Sequence, residues 1–194
     1  MRTISKRFLS DRQGIGAIEF ALLVPVLLML YFGAVGATVG FSMAKRATRA
    51  SGTVADIVTQ QTSVDKTYLA EMPSVARSIF APYRTDKLTL NITGITIDNS
   101  ANAKVAWSWG WKDNENTKDD PKDGTVTTPY PVNSAVTVPD EMKKANTFLV
   151  RSELLIPYDL FAFAPGFLPD GNITIKRDFF YRQRTGDSVT CGNC

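Results

Sequence analysis

One stretch near the start of this 194-residue chain limits what the chain can fold into. Between Gln13 and Ala44 only Glu19 carries a formal charge. The uncharged residues 20–44 exceed the roughly 20 residues that a helix needs to cross the hydrocarbon of a bilayer. A carboxylate at membrane depth is costly unless it is paired or neutralised. The sequence therefore predicts a membrane-spanning helix in which Glu19 has a function.

The charge of the chain is concentrated at its N-terminal tip. Four of the 22 basic and one of the 19 acidic side chains lie in residues 1–14, so the remainder is balanced at 18 of each. The formal net charge of +3 therefore belongs to a short basic leader, and we expect no nucleic-acid partner.

Histidine is absent, which removes the commonest general base and the commonest metal ligand. Ser-His-Asp and Cys-His nucleophile systems are excluded, and Asp119 and Asp120 in a polar loop make a poor acid–base pair. The acidic segment 113–124 lacks the spacing of a calcium loop and contains two lysines. We expect a solvated loop there, no metal or cofactor, and no enzyme activity.

Three interpretations compete for the N-terminal segment. A cleaved secretory signal would use the small residues 35–37 as its cleavage site, but its apolar core would be longer than the usual 7–15 residues and would contain Glu19. An unprocessed transmembrane anchor fits the length and leaves Glu19 unexplained. The third interpretation accounts for the carboxylate through the residues around it.

The residues from Gly14 to Phe20 read G-x-x-x-x-E-[FY] after a basic leader and before a long apolar run. This resembles the processing site of type IV pilins and pseudopilins, where a membrane-embedded prepilin peptidase cuts after the glycine. The resemblance implies that Gly14 precedes the cut, that Ile15 becomes the new N-terminus and that Glu19 is the fifth mature residue.

The resemblance also gives Glu19 a role in assembly. Cleavage creates a positive amine at the end of an apolar helix, and the glutamate of one subunit can neutralise the amine of its neighbour. A carboxylate in the first helical turn also interacts favourably with the helix dipole.

A narrower resemblance lies within residues 12–33. The sequence there, GAIEFALLVPVLLMLYFG, resembles that of the TadE-like proteins of tight-adherence (Tad) pilus systems. Pro25 is the proline of that run and is expected to kink the helix. Phe20 in place of tyrosine and the large domain that follows favour a minor pilin or pseudopilin over the small major pilin.

The partners that this resemblance implies are the prepilin peptidase, other pilins or pseudopilins, the inner-membrane assembly platform and membrane lipid. It places a single-pass protein in a bacterial inner membrane, with residues 1–14 cytoplasmic. The C-terminal domain would then lie in the periplasm or be carried out on a pilus.

The rest of the chain predicts an exported α+β domain, residues 63–194. Helical spacing of small and apolar residues continues to Thr62, so we expect one helix over residues 15–62, with about 15–44 in the membrane. Gly52 is its weak point. A shorter helix is predicted over residues 68–80.

Alternating β-branched and aromatic residues predict four strands. These strands cover residues 88–97, 103–111, 147–158 and 172–184, with a turn at 99–102. Residues 112–139 form a polar excursion without periodicity, and 140–145 fit one or two helical turns. The economical fold is pilin-like, with the long helix packed on a roughly four-stranded antiparallel sheet.

Trp107, Trp109 and Trp111 occupy alternate positions and therefore share one face of their strand. They form either part of the core against the helix or a stacking surface for a sugar or a partner subunit. We favour the core, with Trp111 at the strand end as the most exposed of the three.

Two further features leave alternatives open. Cys191 and Cys194 end the chain as CGNC, and export favours a local disulfide over free or intermolecular thiols. The apolar loop 160–169 either caps the sheet or docks a partner. The tripeptides at Asn91 and Asn172 match the glycosylation pattern but carry little weight in a bacterial protein.

Three functions are compatible with these features. The first, which we favour, is a non-enzymatic minor pilin or pseudopilin that is processed after Gly14. The alternative is an unprocessed single-pass protein whose exported β domain binds a ligand or a surface. A membrane-tethered enzyme is the least supported.

Overall fold

The structure, a computed structural model, describes residues 15–83, 85, 87–114, 124–159 and 171–194. Its longest element is helix α1, Ile15–Thr59, which runs through Pro25 and ends three residues before the predicted Thr62. With 45 residues it is about 68 Å long at 1.5 Å per residue. Its C-terminal half is packed into the domain by four fully buried residues, at the helical spacing seen in the sequence: Ala47, Ala50, Val54 and Val58.

Short helices and strands follow α1 along the chain. In order they are β1 (Ser63–Val64), α2 (Lys66–Leu69), α3 (Met72–Phe80), β2 (Thr89–Ile97), β3 (Ala103–Asp113), β4 (Gly124–Thr127), a 3-10 turn (Asp140–Met142), β5 (Thr147–Asp159), β6 (Asn172–Arg182) and β7 (Thr190–Cys191). The single helix predicted over residues 68–80 is thus two helices, and Asp65 caps the first by accepting a hydrogen bond from the Tyr68 amide.

The sheet is antiparallel with strand order β4-β3-β2-β5-β6, which confirms the α+β class with a long N-terminal helix. Within the described residues it contains five strands, where roughly four were expected. The additional strand β4 lies in the segment predicted to have no regular structure. Its residues are exposed or half-exposed, so it lacks the apolar alternation that reveals a strand facing a core. Backbone pairing with Gly110–Asp113 of β3 holds it in place.

A bulge in β3 lies between the parts of this strand that belong to two different apolar clusters. Gly94 pairs with Trp107 but the next residue, Ile95, pairs with Val105, so Ala106 is the extra residue in β3. The strand therefore changes face at this point, and its two halves contribute to different clusters. The main cluster contains the α1 residues and the tryptophans, and the smaller one contains Ile95, Ile97, Ala103, Val138 and Leu149.

The tryptophan stripe belongs to the main core. Trp107, Trp109 and Trp111 are 6%, 1% and 2% exposed. The predicted core placement is therefore right, and both the alternative surface and the expected exposure of Trp111 are wrong. Trp111 is covered because β3 continues to Asp113 and because the end of β3, including Trp111, pairs with β4. The Trp107 indole donates a hydrogen bond to the Val189 carbonyl over 2.7 Å, which ties the C-terminal segment to the sheet.

Two glycines of α1 face aromatic rings of the sheet and differ in the space they leave. A Cβ at Gly52 would meet the Phe179 ring at 3.7 Å, an ordinary contact, whereas a Cβ at Gly40 would lie 3.0 Å from Tyr158 Cε1. Gly52, expected as a weak point of the helix, therefore has room for a side chain.

The two positions make a matched pair for a stability measurement. Gly52→Ala should raise the free energy of unfolding by about 0.5–1 kcal/mol, because alanine restricts the unfolded chain and fits the folded one. Gly40→Ala should give no gain, because the Tyr158 ring must move. Urea unfolding of the full chain in detergent, followed by tryptophan fluorescence, measures both. The same change in the free energy of unfolding in both variants would contradict the packing described.

Candidate functional site: the apolar helix and its junction with the domain

The N-terminal half of α1 is apolar on all sides and is not covered by any described part of the domain. From Gly16 to Val35 nearly every side chain is exposed, including Phe20 and Leu22 at 70% each. These 20 residues span about 30 Å, the hydrocarbon thickness of a bilayer. Among the residues that the structure describes, α1 is the one helix that is long and apolar enough to cross a membrane. Such a surface requires lipid or an apolar partner.

Glu19 and Phe20 lie near the start of this exposed half. Glu19 is the fifth described residue of α1. Within the described residues it has no ion-pair partner. Ile15 is the first described residue of the helix, and Gly14 and the leader lie outside the described residues.

The domain contacts α1 at the point where the exposed half of the helix ends. The Tyr158 hydroxyl, at the end of β5, donates a hydrogen bond to the Gly36 carbonyl over 2.8 Å. Its ring lies against Gly40, one turn further along. Gly36 is the first buried residue of the helix, so this contact marks the boundary between its free and packed halves. Residues 36–44, assigned to the membrane from the sequence, thus include positions that the domain contacts.

A second junction joins α1 to α3. The Arg46 guanidinium donates hydrogen bonds of 2.8 Å to the carbonyls of Ile79 and Ala81, at the C-terminal end of α3. A cation at this position satisfies terminal carbonyls and is favoured by the helix dipole. From the other side, Arg77 of α3 forms an ion pair with the buried Asp113. Helix α3 is thereby fixed to both α1 and the sheet.

The C-terminus is fastened to the segment that follows α1. Cys191 and Cys194 form a disulfide, as predicted. Strand β7 pairs in parallel with β1, and Gly192 donates its amide to the Val64 carbonyl over 3.2 Å. The Asn193 side chain accepts a hydrogen bond from the Lys66 amide. The cysteines therefore belong to a structural clasp at the opposite end of α1 from Glu19.

The outer face of the sheet, away from α1, carries a cluster of paired charges that we call the outer-face cluster: Tyr130, Arg151, Glu153, Lys176 and Asp178. Glu153, 1% exposed, accepts a hydrogen bond from the Tyr130 hydroxyl over 2.6 Å and pairs with Arg151 over 2.6 Å. Lys176 lies 3.6 Å from the same carboxylate, and Asp178 lies 3.5 Å from Arg151. These partners offset the cost of burying the Glu153 carboxylate.

A shallow groove of about 540 Å³ beside this cluster is lined by Asp140, Lys143, Arg151, Asp178 and Phe180, among others. Its charged residues pair with one another, Lys143 with Asp140 and Arg151 with Asp178. In the described part of the chain no group of three or more Cys, Asp or Glu side chains could hold a metal ion. The apolar loop 160–169, the pair Asp119 and Asp120 and most of segment 113–124 lie outside the described residues.

These features define an α+β protein whose apolar N-terminal helix projects from an antiparallel sheet. Comparison with known families adds that residues 14–56 match the model of the family described as TadE-like protein. The helical segment that contains Glu19 and Pro25 is therefore TadE-like, as its resemblance indicated. The match and the apolar helix are consistent with a component of a Tad pilus system. Comparisons of the chain with curated proteins and with solved structures find no match.

The match ends just before the last turn of α1, so the sheet and α3, which supply the other side of each junction, are characterised by the structure alone. Sequence reasoning missed both junctions and the outer-face cluster. The spacing of Gly36 and Gly40, four residues apart, is a signal that could have suggested a close approach to the helix, but it does not identify Tyr158 as the approaching residue.

The Tyr158 contact can be tested at a single oxygen atom. Tyr158→Phe should lower the free energy of unfolding by about 1 kcal/mol, because it removes the hydrogen bond to Gly36 and leaves the ring in place. Tyr31→Phe, an exposed tyrosine whose described contact is with the Phe32 ring, is the control and should change little. Urea unfolding in detergent measures both, and equal losses in the two variants would contradict the account.

The outer-face cluster makes the free energy of unfolding depend on pH in the alkaline range. Burial and the hydrogen bond to Glu153 raise the pKa of Tyr130 above its usual value of 10.0. The unfolded chain loses this proton first, so the stabilisation is complete below about pH 10 and is lost as the pH rises through the raised pKa. Tyr130→Phe should reduce the decline of the free energy of unfolding above pH 10. Burial also raises the pKa of Tyr158, so the variant should keep part of the decline. An unchanged slope in urea titrations would rule out this role.

Proposed function

We propose that the protein is a non-enzymatic minor pilin or pseudopilin that acts in the assembly of a Tad-type pilus. The observation that carries this proposal is the exposed half of α1, residues 16–35, which lies within the TadE-like segment. A helix that is apolar on all sides and free of its own domain has a surface for insertion into lipid or among other such helices.

Processing by a prepilin peptidase follows from the same segment. The cut falls after Gly14, so the mature chain starts at Ile15, which is part of α1. Glu19 is then one turn from the new amine. In an assembly, the carboxylate of one subunit neutralises the amine of another, which offsets the cost of burying both charges. Phe20 continues the apolar surface on which this packing depends.

The protein is then a single-pass protein of the bacterial inner membrane. Residues 16–35 cross the hydrocarbon, a narrower span than the 15–44 assigned from the sequence, because Tyr158 holds Gly36 against the domain. The Cys191–Cys194 disulfide supports an oxidising compartment for the domain, the periplasm or the outside of the cell. The leader remains cytoplasmic.

The partners in this proposal are the prepilin peptidase, other pilins or pseudopilins, the assembly platform and membrane lipid. The domain brings the sheet and its outer-face cluster to the surface of the membrane or filament. Cleavage as a secretory signal after Ala37 would instead remove the Gly36 carbonyl that Tyr158 binds, and would leave Glu19 without a role.

Intact-mass measurement of the membrane-bound chain, from hosts with and without the prepilin peptidase, tests the proposal. We expect a chain that starts at Ile15 only where the peptidase is present. Gly14→Leu should abolish the cut because the bulky side chain obstructs the scissile bond, whereas Gly16→Leu, a glycine two residues away, should still be processed.

A full-length chain in both hosts would overturn the proposal in favour of an unprocessed single-pass protein with an exported binding domain. A chain that begins near Thr38 in both hosts would instead indicate a secreted protein.

A further inference from the structure

We propose that an exposed stripe on α1, formed by Phe41, Lys45 and Arg49, rests on the anionic headgroups of the membrane surface from which the helix emerges. We call these three residues the headgroup stripe. The inference rests on the proposed function only in requiring that residues 16–35 cross a bilayer, and it is independent of processing and of pilus assembly.

The three residues form one face of the helix and point away from the domain. They are spaced four apart, so they lie one above the other along α1. All three are exposed, and Phe41 is 64% exposed. Met43 and Ala47, on another face of the same turns, are buried in the core. The stripe is therefore the surface that α1 leaves open after it has joined the domain.

The stripe begins at the outer edge of the lipid headgroups. Phe41 lies six residues beyond Val35, about 9 Å along the axis, next to the headgroup layer outside the hydrocarbon. The Lys45 ammonium lies 4.6 Å from the centroid of the Phe41 ring, so its side chain folds back toward the membrane-spanning half. Helical side chains lean toward the N-terminus, which brings the Lys45 charge one turn closer to the bilayer than its backbone is.

The two cations are available to an anion outside the chain. Within the described residues neither Lys45 nor Arg49 pairs with a carboxylate. Their neighbour Arg46 is engaged with the carbonyls that end α3. Basic side chains near a membrane surface attract anionic lipids, and an aromatic residue beside them is typical of the interface.

The sheet adds an apolar side chain at the same level. Ile173 of β6 pairs with Tyr158, the residue that touches α1 at Gly36 and Gly40. It is 49% exposed. The end of the domain nearest the apolar helix thus presents an isoleucine and a phenylalanine with two cations behind the latter, a pattern suited to a lipid surface with negative charge.

The test uses the full chain in nanodiscs of equimolar phosphatidylcholine and phosphatidylglycerol, followed by native mass spectrometry of the lipids that stay bound. The variant is Lys45→Gln/Arg49→Gln. The control, Lys104→Gln/Lys144→Gln, removes the same charge from exposed positions near the start of β5, about 30 Å from Tyr158 along the strands. The basic leader is common to all three proteins and cancels in the comparison.

We expect bound phosphatidylglycerol to exceed phosphatidylcholine in the wild type, and the ratio to fall about fivefold in the stripe variant, mainly through Lys45 because Arg49 lies about 6 Å farther from the bilayer. The control should keep the wild-type ratio. The wild-type preference should also decrease at 0.5 M salt, because these charges remain solvated.

An unchanged ratio in the stripe variant, or an equal fall in the control, would overturn the inference and would leave the stripe as a contact for another subunit. Failure of the chain to resist extraction from the nanodisc by alkaline carbonate would overturn the membrane span itself, and with it the proposed function. The two failures are therefore distinguishable.

Discussion

The division of α1 into two environments governs the structure. The same continuous helix is apolar on all sides up to Val35 and then packs into the domain through a stripe of small residues. Free energy from tertiary packing stabilises the second half, whereas the first half has no described partner and depends on lipid or other helices. The Tyr158–Gly36 contact lies at the change, so the domain defines how much helix remains free.

The remaining contacts of the domain serve to hold this helix in place. Arg46 of α1 is hydrogen-bonded to the end of α3, and Arg77 of α3 forms an ion pair with the sheet. The Trp107 indole and the pairing of β7 with β1 fix the C-terminal segment next to the end of α1. These contacts join residues that are far apart in the chain, and together they make the packed half of the helix a rigid base for the free half.

Local patterns made much of this predictable. The apolar run, the spacing of Ala47 to Val58 and the alternation in four strands gave the helix and the sheet, and the motif around Glu19 gave the family resemblance that the match of residues 14–56 supports. Features without a local pattern were missed. Strand β4 buries little and is held by backbone pairing, so its residues carry no alternation. The exposure expected for Trp111 was wrong because that same pairing covers it.

The functional residues divide in the same way. Glu19 was identifiable because a charge in an apolar run is conspicuous, whereas Tyr158, Arg46 and the outer-face cluster depend on partners 20 or more residues away. Periodicity does not reveal which distant residue meets which. The sequence does not distinguish Lys45, Arg46 and Arg49 from one another. The structure does, because Arg46 is hydrogen-bonded to the end of α3 whereas Lys45 and Arg49 are exposed.

The division of α1 is tested most directly by single cysteines placed along it in native membranes and probed with a membrane-impermeant maleimide. The Cys191–Cys194 disulfide leaves no other thiol to react. The account predicts that cysteines at Leu27 and Leu30 stay unlabelled until the membrane is dissolved, and that cysteines at Lys45 and Arg49 are labelled from the side of the domain. Labelling at Leu27 or Leu30 in intact membranes would contradict it.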